Sequence, residues 1–283
     1  MKIPQQFWRA PSAHKFSTGK LLVAAGSRGL AGAGILTARA AVAAGCGYVM
    51  WAVPESIYPG LAASFPDGIV HPCTDRGRGS LGLVHVRDLM ELTPHAAVVG
   101  PGLSTGADTE QFVSALLTTF EEPLVLDADA LTLLSRLGSP NRASRSLVLT
   151  PHPGEAARLL KMSSEEVVHS RLESAREIAR LHRAVVLLKG PPTVVTDGSR
   201  EWVIEDRVPA LATAGSGDVL SGMIGALLAR GVEAYEAACF AAWWHLRAAK
   251  RMAGSLPQGF GASELVVHVR EEARYFGENP RHE

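Results

Sequence analysis

The sequence predicts a single α/β domain in which a mostly parallel sheet is covered by helices on both faces. Three observations carry that prediction. Short apolar runs alternate with longer helical patterns along the chain. Those runs are nearly continuous rather than alternating in polarity, as strands buried on both faces must be. Glycines and ionisable residues gather just past their C-terminal ends, where open α/β sheets bind ligands. At 283 residues the chain is within range for one such unit, so a single domain over residues 1–283 is expected.

Composition narrows the class. Hydrophobic residues make up 47% of the chain and charged residues 20%, a balance that supports a large buried core. Lys plus Arg and Asp plus Glu both number 28, which leaves no overall field for nucleic acid or a membrane surface. Cys46, Cys73 and Cys239 are scattered and form no CxxC pair, which argues against a disulfide framework or a zinc site. No uncharged apolar run approaches the roughly 18 residues of a membrane span. Residues 1–16 lack the apolar centre of a secretory signal, so a cytoplasmic location is expected.

In chain order, Lys20–Ala25 reads as a strand and Ala31–Ala44 as an alanine-rich helix closed by Gly45. Tyr48–Val53 is a second strand, stopped at Pro54. Residues 54–80 show no clear period, and Arg76-Gly77-Arg78-Gly79 within them reads as a solvated loop in preference to a phosphate patch. Leu81–Leu92 and Ala107–Phe120 read as helices, with strands at Ala96–Val99, Leu124–Leu126 and Ser146–Leu149. Ser163 with Glu166 forms a capping box for one long helix reaching about Leu181. Ala184–Leu188 is a further strand, and Thr193–Thr196 with Trp202–Glu205 flank Asp197-Gly198 as an antiparallel edge hairpin. The turn Ala214–Gly217 opens a helix over Val219–Ala229 that stops at Gly231. Helices Ala234–Met252 and Ser263–Phe276, joined by a loop, complete the chain.

The strongest candidate for chemistry is Gly215-Ser216-Gly217-Asp218. A flexible turn of free N–H groups at the mouth of an apolar helix is an anion site, because unpaired amides and the helix dipole face it together. Asp218 there reads either as the N-cap of a core helix or as a base beside a bound phosphate. The strand ends support the second reading. They carry Gly102, Asp127, Asp129, His152, Glu155 and Lys189-Gly190. Asp127 and Asp129 lie two apart, so one faces the ligand while the other orders a loop or caps a helix. His152, held between two prolines, reads as a substrate contact, and Lys189 as a neutraliser of phosphate charge or a solvated turn lysine. Glu155 suits a helix N-terminus, or Mg²⁺ held through water. His245, beside Trp243 and Trp244, reads as a core histidine.

The chain has no GxxxxGK[ST] loop, and the glycines of Gly26–Gly34 do not fit GxGxxG, so if phosphate is bound, Gly215–Asp218 is the place. Such a cradle with a carboxylate fits phosphoryl transfer to a hydroxyl. On these residues alone, a small-molecule (sugar or vitamin-precursor) kinase remains open.

Six segments in this order resemble one family. They are AGSRGLAGAGILTARAAVAAGCGYV at 25–49, VVGPGL at 98–103, VLDADAL at 125–131, LTPHPGEAARLL at 149–160, LLKGPPTVV at 187–195 and ATAGSGDVLSGMIGALLARG at 212–231. Across roughly residues 14–270 the chain resembles the NAD(P)H-hydrate dehydratase family. The resemblance implies a ribokinase-like three-layer α/β/α sandwich with a mostly parallel central sheet and an antiparallel edge hairpin. It implies a hydro-lyase that uses ADP, with ATP as the other donor, and Mg²⁺ to restore hydrated NADH or NADPH. Asp218 would be the base and would also touch the hydrate together with Ala33, Gly102 and His152. Lys189, Gly190, Pro191, Pro192 and Thr193 would line the AMP part of the nucleotide, and Gly215, Ser216 and Gly217 its phosphates. A homotetramer with the first segment at its interface is also implied. The chain departs from the family pattern at Arg207-Val208-Pro209-Ala210-Leu211, Lys15-Phe16 and His245-Leu246, which keeps a catalytically impaired nucleotide-binding relative as the further alternative.

Overall fold

The computed structural model describes residues 1–138, 143, 146–255 and 260–276. Burial on both faces of the strands decides the architecture. In β1 (Lys20–Ala24), Leu21 and Val23 face one side and Leu22 and Ala24 the other, and all four are buried. The remaining strands are β2 (Tyr48–Pro54), β3 (Ile69–Cys73), β4 (Ala96–Val99), β5 (Leu124–Leu126), β6 (Leu147–Leu149), β7 (Val185–Leu188), β8 (Thr193–Thr196) and β9 (Glu201–Ile204). They form one nine-stranded sheet in the order β3-β2-β1-β4-β5-β6-β7-β8-β9. Pairing is parallel from β3 through β7 and antiparallel at β7–β8 and β8–β9.

The helices are α1 (Ala31–Ala43), α2 (Tyr58–Leu61), α3 (Val86–Glu91), α4 (Ala107–Thr119), α5 (Asp129–Leu137), α6 (Pro153–Leu160), α7 (Ser164–His169), α8 (Arg171–His182), α9 (Ser216–Ala229), α10 (Ala234–Ser255) and α11 (Ala262–Glu272). Apolar side chains of α1, α2, α9, α10 and α11 join one core; those of α3 to α8 join the other, on the opposite sheet face. Three layers result, as expected, with the mostly parallel sheet in the middle and the hairpin at its edge. Among the described residues no helix is long and apolar enough to cross a membrane.

The differences from the sequence expectation have local causes. Strand β3 escapes the pattern because it is a half-exposed edge strand carrying Pro72, so it lacks a continuous apolar run. Helices α5 and α6 are also additional, each starting within four residues of a strand end. The helix expected from Ser163 to Leu181 does begin at the Ser163–Glu166 capping box, but it breaks at Ser170. There the Ser170 hydroxyl donates to the Glu166 carbonyl at 2.7 Å, a local bond that competes with the helical ladder. The α9 helix starts at Ser216, so Asp218 is the third residue of its first turn and Gly215, at φ +89°, is the N-cap. Asp218 is therefore not the cap. The loop expected between α10 and α11 falls partly outside the described residues.

Helix α9 packs on α1 closely enough to exclude a side chain. A Cβ on Gly222 would lie 2.2 Å from the Thr37 carbonyl oxygen. Gly222→Val is expected to cost about 3 kcal/mol through overpacking, read as a lowered thermal midpoint. Gly32→Ala on the exposed side of α1, with nothing within 4 Å of its Cβ, should leave the midpoint unchanged or slightly raised.

Candidate active site

Four ionisable side chains converge beneath the first turn of α9. Asp127 follows β5, Glu155 lies in the first turn of α6, Lys189 follows β7, and Asp218 comes from α9 itself. Lys189 Nζ is 2.7 Å from Asp127 Oδ1 and 3.8 Å from Glu155 Oε2. The second Asp127 oxygen accepts the Ser221 hydroxyl at 2.6 Å. A Cβ on Gly217 would lie 3.2 Å from Lys189 Nζ, so the helix mouth approaches the ammonium closely. Lys189, its side chain 20% exposed, is thus the ion-pair partner of the buried Asp127, and the solvated-lysine reading fails.

The backbone around Asp127 is built to aim it. Ala128 adopts φ +49°, a conformation that costs a non-glycine residue on the order of 1–3 kcal/mol. This turn sends Asp127 toward α9 and Asp129 toward the neighbouring loop, where it accepts the Ser104 N–H at 2.8 Å. Gly100 makes room for it, since a Cβ there would lie 1.9 Å from the Asp127 carbonyl oxygen. Of the two aspartates, Asp127 faces the site and Asp129 orders the loop.

Burial is the largest influence on the Asp218 carboxyl; with the Asp127 anion it outweighs Lys189 and pushes the pKa up to about 7. Burial also raises Glu155, with Lys189 opposing and Asp127 assisting. For Lys189, burial alone would lower the pKa, but Asp127 and Glu155 outweigh it and hold the ammonium above its usual value. Burial and then Lys189 lower His152, so its ring is neutral near pH 7. His152 Nδ1 accepts the Gly154 N–H at 2.9 Å, which leaves the proton on Nε2, 3.4 Å from Glu155 Oε1. Glu155 Oε2 in turn accepts the His152 backbone N–H at 2.7 Å, completing the α6 capping box.

Beside this cluster opens a cavity of about 530 Å³ with mainly apolar walls, among them Ile204, Val208, Leu211, Leu220 and Leu246. Lys189, Gly190, Pro191 and Thr193 line it, as do Ser216 and Gly217, and His152 and His245 reach its edge. Pro192 faces elsewhere: its carbonyl accepts Arg171 Nε at 2.7 Å. Gly215 points toward Leu36 and Ala262 rather than into the cavity. Ala33 and Gly102 adjoin one another on the other side, where a Cβ on Gly102 would lie 3.1 Å from Ala33 Cβ.

Sequence reasoning did not single out Arg171 or Ser221. Arg171 is buried and also donates to the Leu188 and Lys189 carbonyls, so it shapes the whole β7–β8 connection. An arginine in helical register with Ala175, Ile178 and Ala179 was the available signal. Ser221 lies four residues after Gly217, one helical turn on, where it reaches both Asp127 and the Gly217 carbonyl.

An amide-lined helix mouth, a buried ammonium and a poised carboxylate belong to the nucleotide-dependent enzymes of ribokinase-like fold. A ribokinase-like superfamily protein from Enterococcus faecalis superposes with a TM-score of 0.82 at 21% identity, over 95% of this chain and 91% of that one. Within that class the match is narrower. The family model described as NAD(P)H-hydrate dehydratase matches residues 21–266, and the chain belongs to that family. An ADP-dependent (S)-NAD(P)H-hydrate dehydratase from Neisseria meningitidis is 39% identical over 273 residues, covering 94% of this chain and 88% of that one. A bifunctional NAD(P)H-hydrate repair enzyme from Gloeobacter violaceus is 40% identical over 87% of this chain, which spans 47% of its length. The ADP/ATP-dependent NAD(P)H-hydrate dehydratase of Bacillus subtilis, co-crystallised with ATP and Mg²⁺, has a TM-score of 0.83 at 28% identity, over 95% of this chain and 94% of that one.

Two outcomes follow from the charges. Asp127 raises the Asp218 pKa, so Asp127→Asn should move the acidic limb of the kcat/KM profile below pH 7 as well as slow the reaction. Because Asp218 binds its proton more tightly folded than unfolded, its contribution to stability is lost as pH rises from about 4 to about 7. Keeping it ionised costs on the order of 4 kcal/mol. Asp218→Asn should therefore raise the thermal midpoint most at pH 8, less at pH 5 and hardly at all below about pH 4, as measured by calorimetry.

Proposed function

We propose that the protein is an ADP-dependent NAD(P)H-hydrate dehydratase, in which phosphorylation turns the ring hydroxyl of the hydrate into a leaving group. The observation that carries this reading is Asp218, held near pKa 7 at the mouth of α9 beside Lys189 and the cavity. A base with that pKa is matched to proton transfer at neutral pH. ADP lies in the cavity with its phosphates at the Gly217 and Asp218 amides and the Lys189 ammonium. Asp218 takes the hydroxyl proton of the hydrate, and the oxygen attacks the terminal phosphorus and releases AMP. The phosphate ester then eliminates inorganic phosphate with loss of a ring proton, which restores the dihydronicotinamide. His152, Ala33 and Gly102 bound the ring on the far side of Asp218. With ATP as donor the same geometry releases ADP.

The donor set is compatible with Mg²⁺ carried by the nucleotide. Three carboxylates face a single ammonium, which favours an added cation once phosphate enters. Among the described residues, however, no group of three or more His, Cys, Asp or Glu side chains could hold a metal alone. Both Asp127 oxygens are taken by Lys189 and Ser221, and Glu155 is taken up in the α6 cap. The ion would keep most of its waters, with Glu155 reaching it through one of them, and would neutralise phosphate charge.

Incubation with hydrated NADH, Mg²⁺ and either ADP or ATP is expected to restore NADH absorbance, faster with ADP. No recovery with either donor would sink the reading. Asp218→Asn should lower turnover by roughly two to four orders of magnitude while ADP binding persists in calorimetry. As a cytoplasmic homotetramer, the protein should elute at four times the chain mass in light scattering; a monomer would rule that assembly out.

A further inference from the structure

His245 on α10 is buried, and its Nε2 lies 3.0 Å from the Ser216 carbonyl oxygen. Burial pushes the imidazole down to about 4, so the ring is neutral and Nε2–H is the donor. This bond matters because of where Ser216 stands. It is the first residue of α9, and a peptide group is planar and trans, so a fixed Ser216 carbonyl fixes the opposed N–H of Gly217. The Gly217 and Asp218 amides have no hydrogen-bond partner among the described residues. They are the open donors of the helix mouth. The Ser221 hydroxyl, 3.1 Å from the Gly217 carbonyl, holds the next peptide plane in the same way and with it the Asp218 N–H. Both open amides are therefore held through the carbonyls on their other side.

We propose that His245 is a positioning residue for phosphoryl transfer, which sets the Ser216–Gly217 peptide plane so that the Gly217 N–H already faces the terminal phosphates before the nucleotide binds. The proposal rests on the reading of the cavity as the nucleotide site. A donor aimed in advance needs no reorganisation at the moment charge develops on the moving group. His245 borders the cavity, but the proposed role is exerted through the Ser216 carbonyl.

The test compares His245→Leu, which removes the donor at similar volume, with His245→Gln, whose amide nitrogen offers N–H where Nε2 stood. His245→Leu should weaken ADP binding about tenfold in calorimetry and lower kcat further, with the KM for hydrated NADH unchanged. His245→Gln should recover most of both losses. A folded Leu variant with parental ADP affinity and kcat would overturn the proposal, as would a Gln variant no better than Leu. Should the Leu variant fail to fold, the Gln variant decides: near-parental ADP affinity is required, and its loss is a refutation. Parental protein that binds ADP but restores no hydrate would defeat the proposed activity alone, because the affinity comparison still reads His245. Parental protein that binds neither ADP nor ATP would defeat the cavity reading and the His245 proposal together.

Discussion

The buried pair between Lys189 and Asp127 is the constraint on which the site depends. A lone ammonium in that position would be held at heavy cost, and a lone carboxylate likewise. Together they tie the ends of β5 and β7 to one point beneath α9, and Ser221 carries the tie into the helix. Their charges also reach Asp218 with opposite sign. Because burial and Asp127 outweigh Lys189, Asp218 retains its proton up to neutrality. The same contacts that hold the strand ends together thus set the acidity of the catalytic candidate.

The departures from ordinary stability sit where they shape this cluster. Ala128 is held at positive φ, Asp218 is ionised at a cost in a half-buried position, and the α9 mouth keeps amides unpaired. Positive φ also occurs away from the site, at Arg76, Thr93, Lys161 and Arg183. The broad cores on both sheet faces supply the stability against which these local costs are set.

Much of this was legible in the chain. The parallel strands could be read because burial on both faces demands unbroken apolar runs, and the edge hairpin because Asp197-Gly198 marks its turn. Strand β3 could not, since an exposed edge strand with a proline has no such run. The break at Ser170 was hidden because it depends on a side-chain bond that competes with the ladder, not on composition. The site residues were visible as strand-end polar groups, but their partners were not. Whether Lys189 meets solvent or Asp127 is decided by a contact across 62 positions, and no local pattern encodes it. His245 illustrates the same point: its burial fits the sequence context, while its bond to Ser216 joins two helices and is invisible until they pack.

The reversal of direction at β8 has a consequence for the handedness of the site. Up to β7 each strand ends at the ligand edge and continues into helical cover. At β8 the chain starts from that edge instead, so Lys189–Pro192 makes a tight return with no helix between β7 and β8. The cavity opens beside this return, between it and residues of α9 and α10. On the reading proposed above, the donor enters on this side and the acceptor ring lies across α9, toward α1 and the β4 end. The two substrates then approach the same helix mouth from opposite flanks.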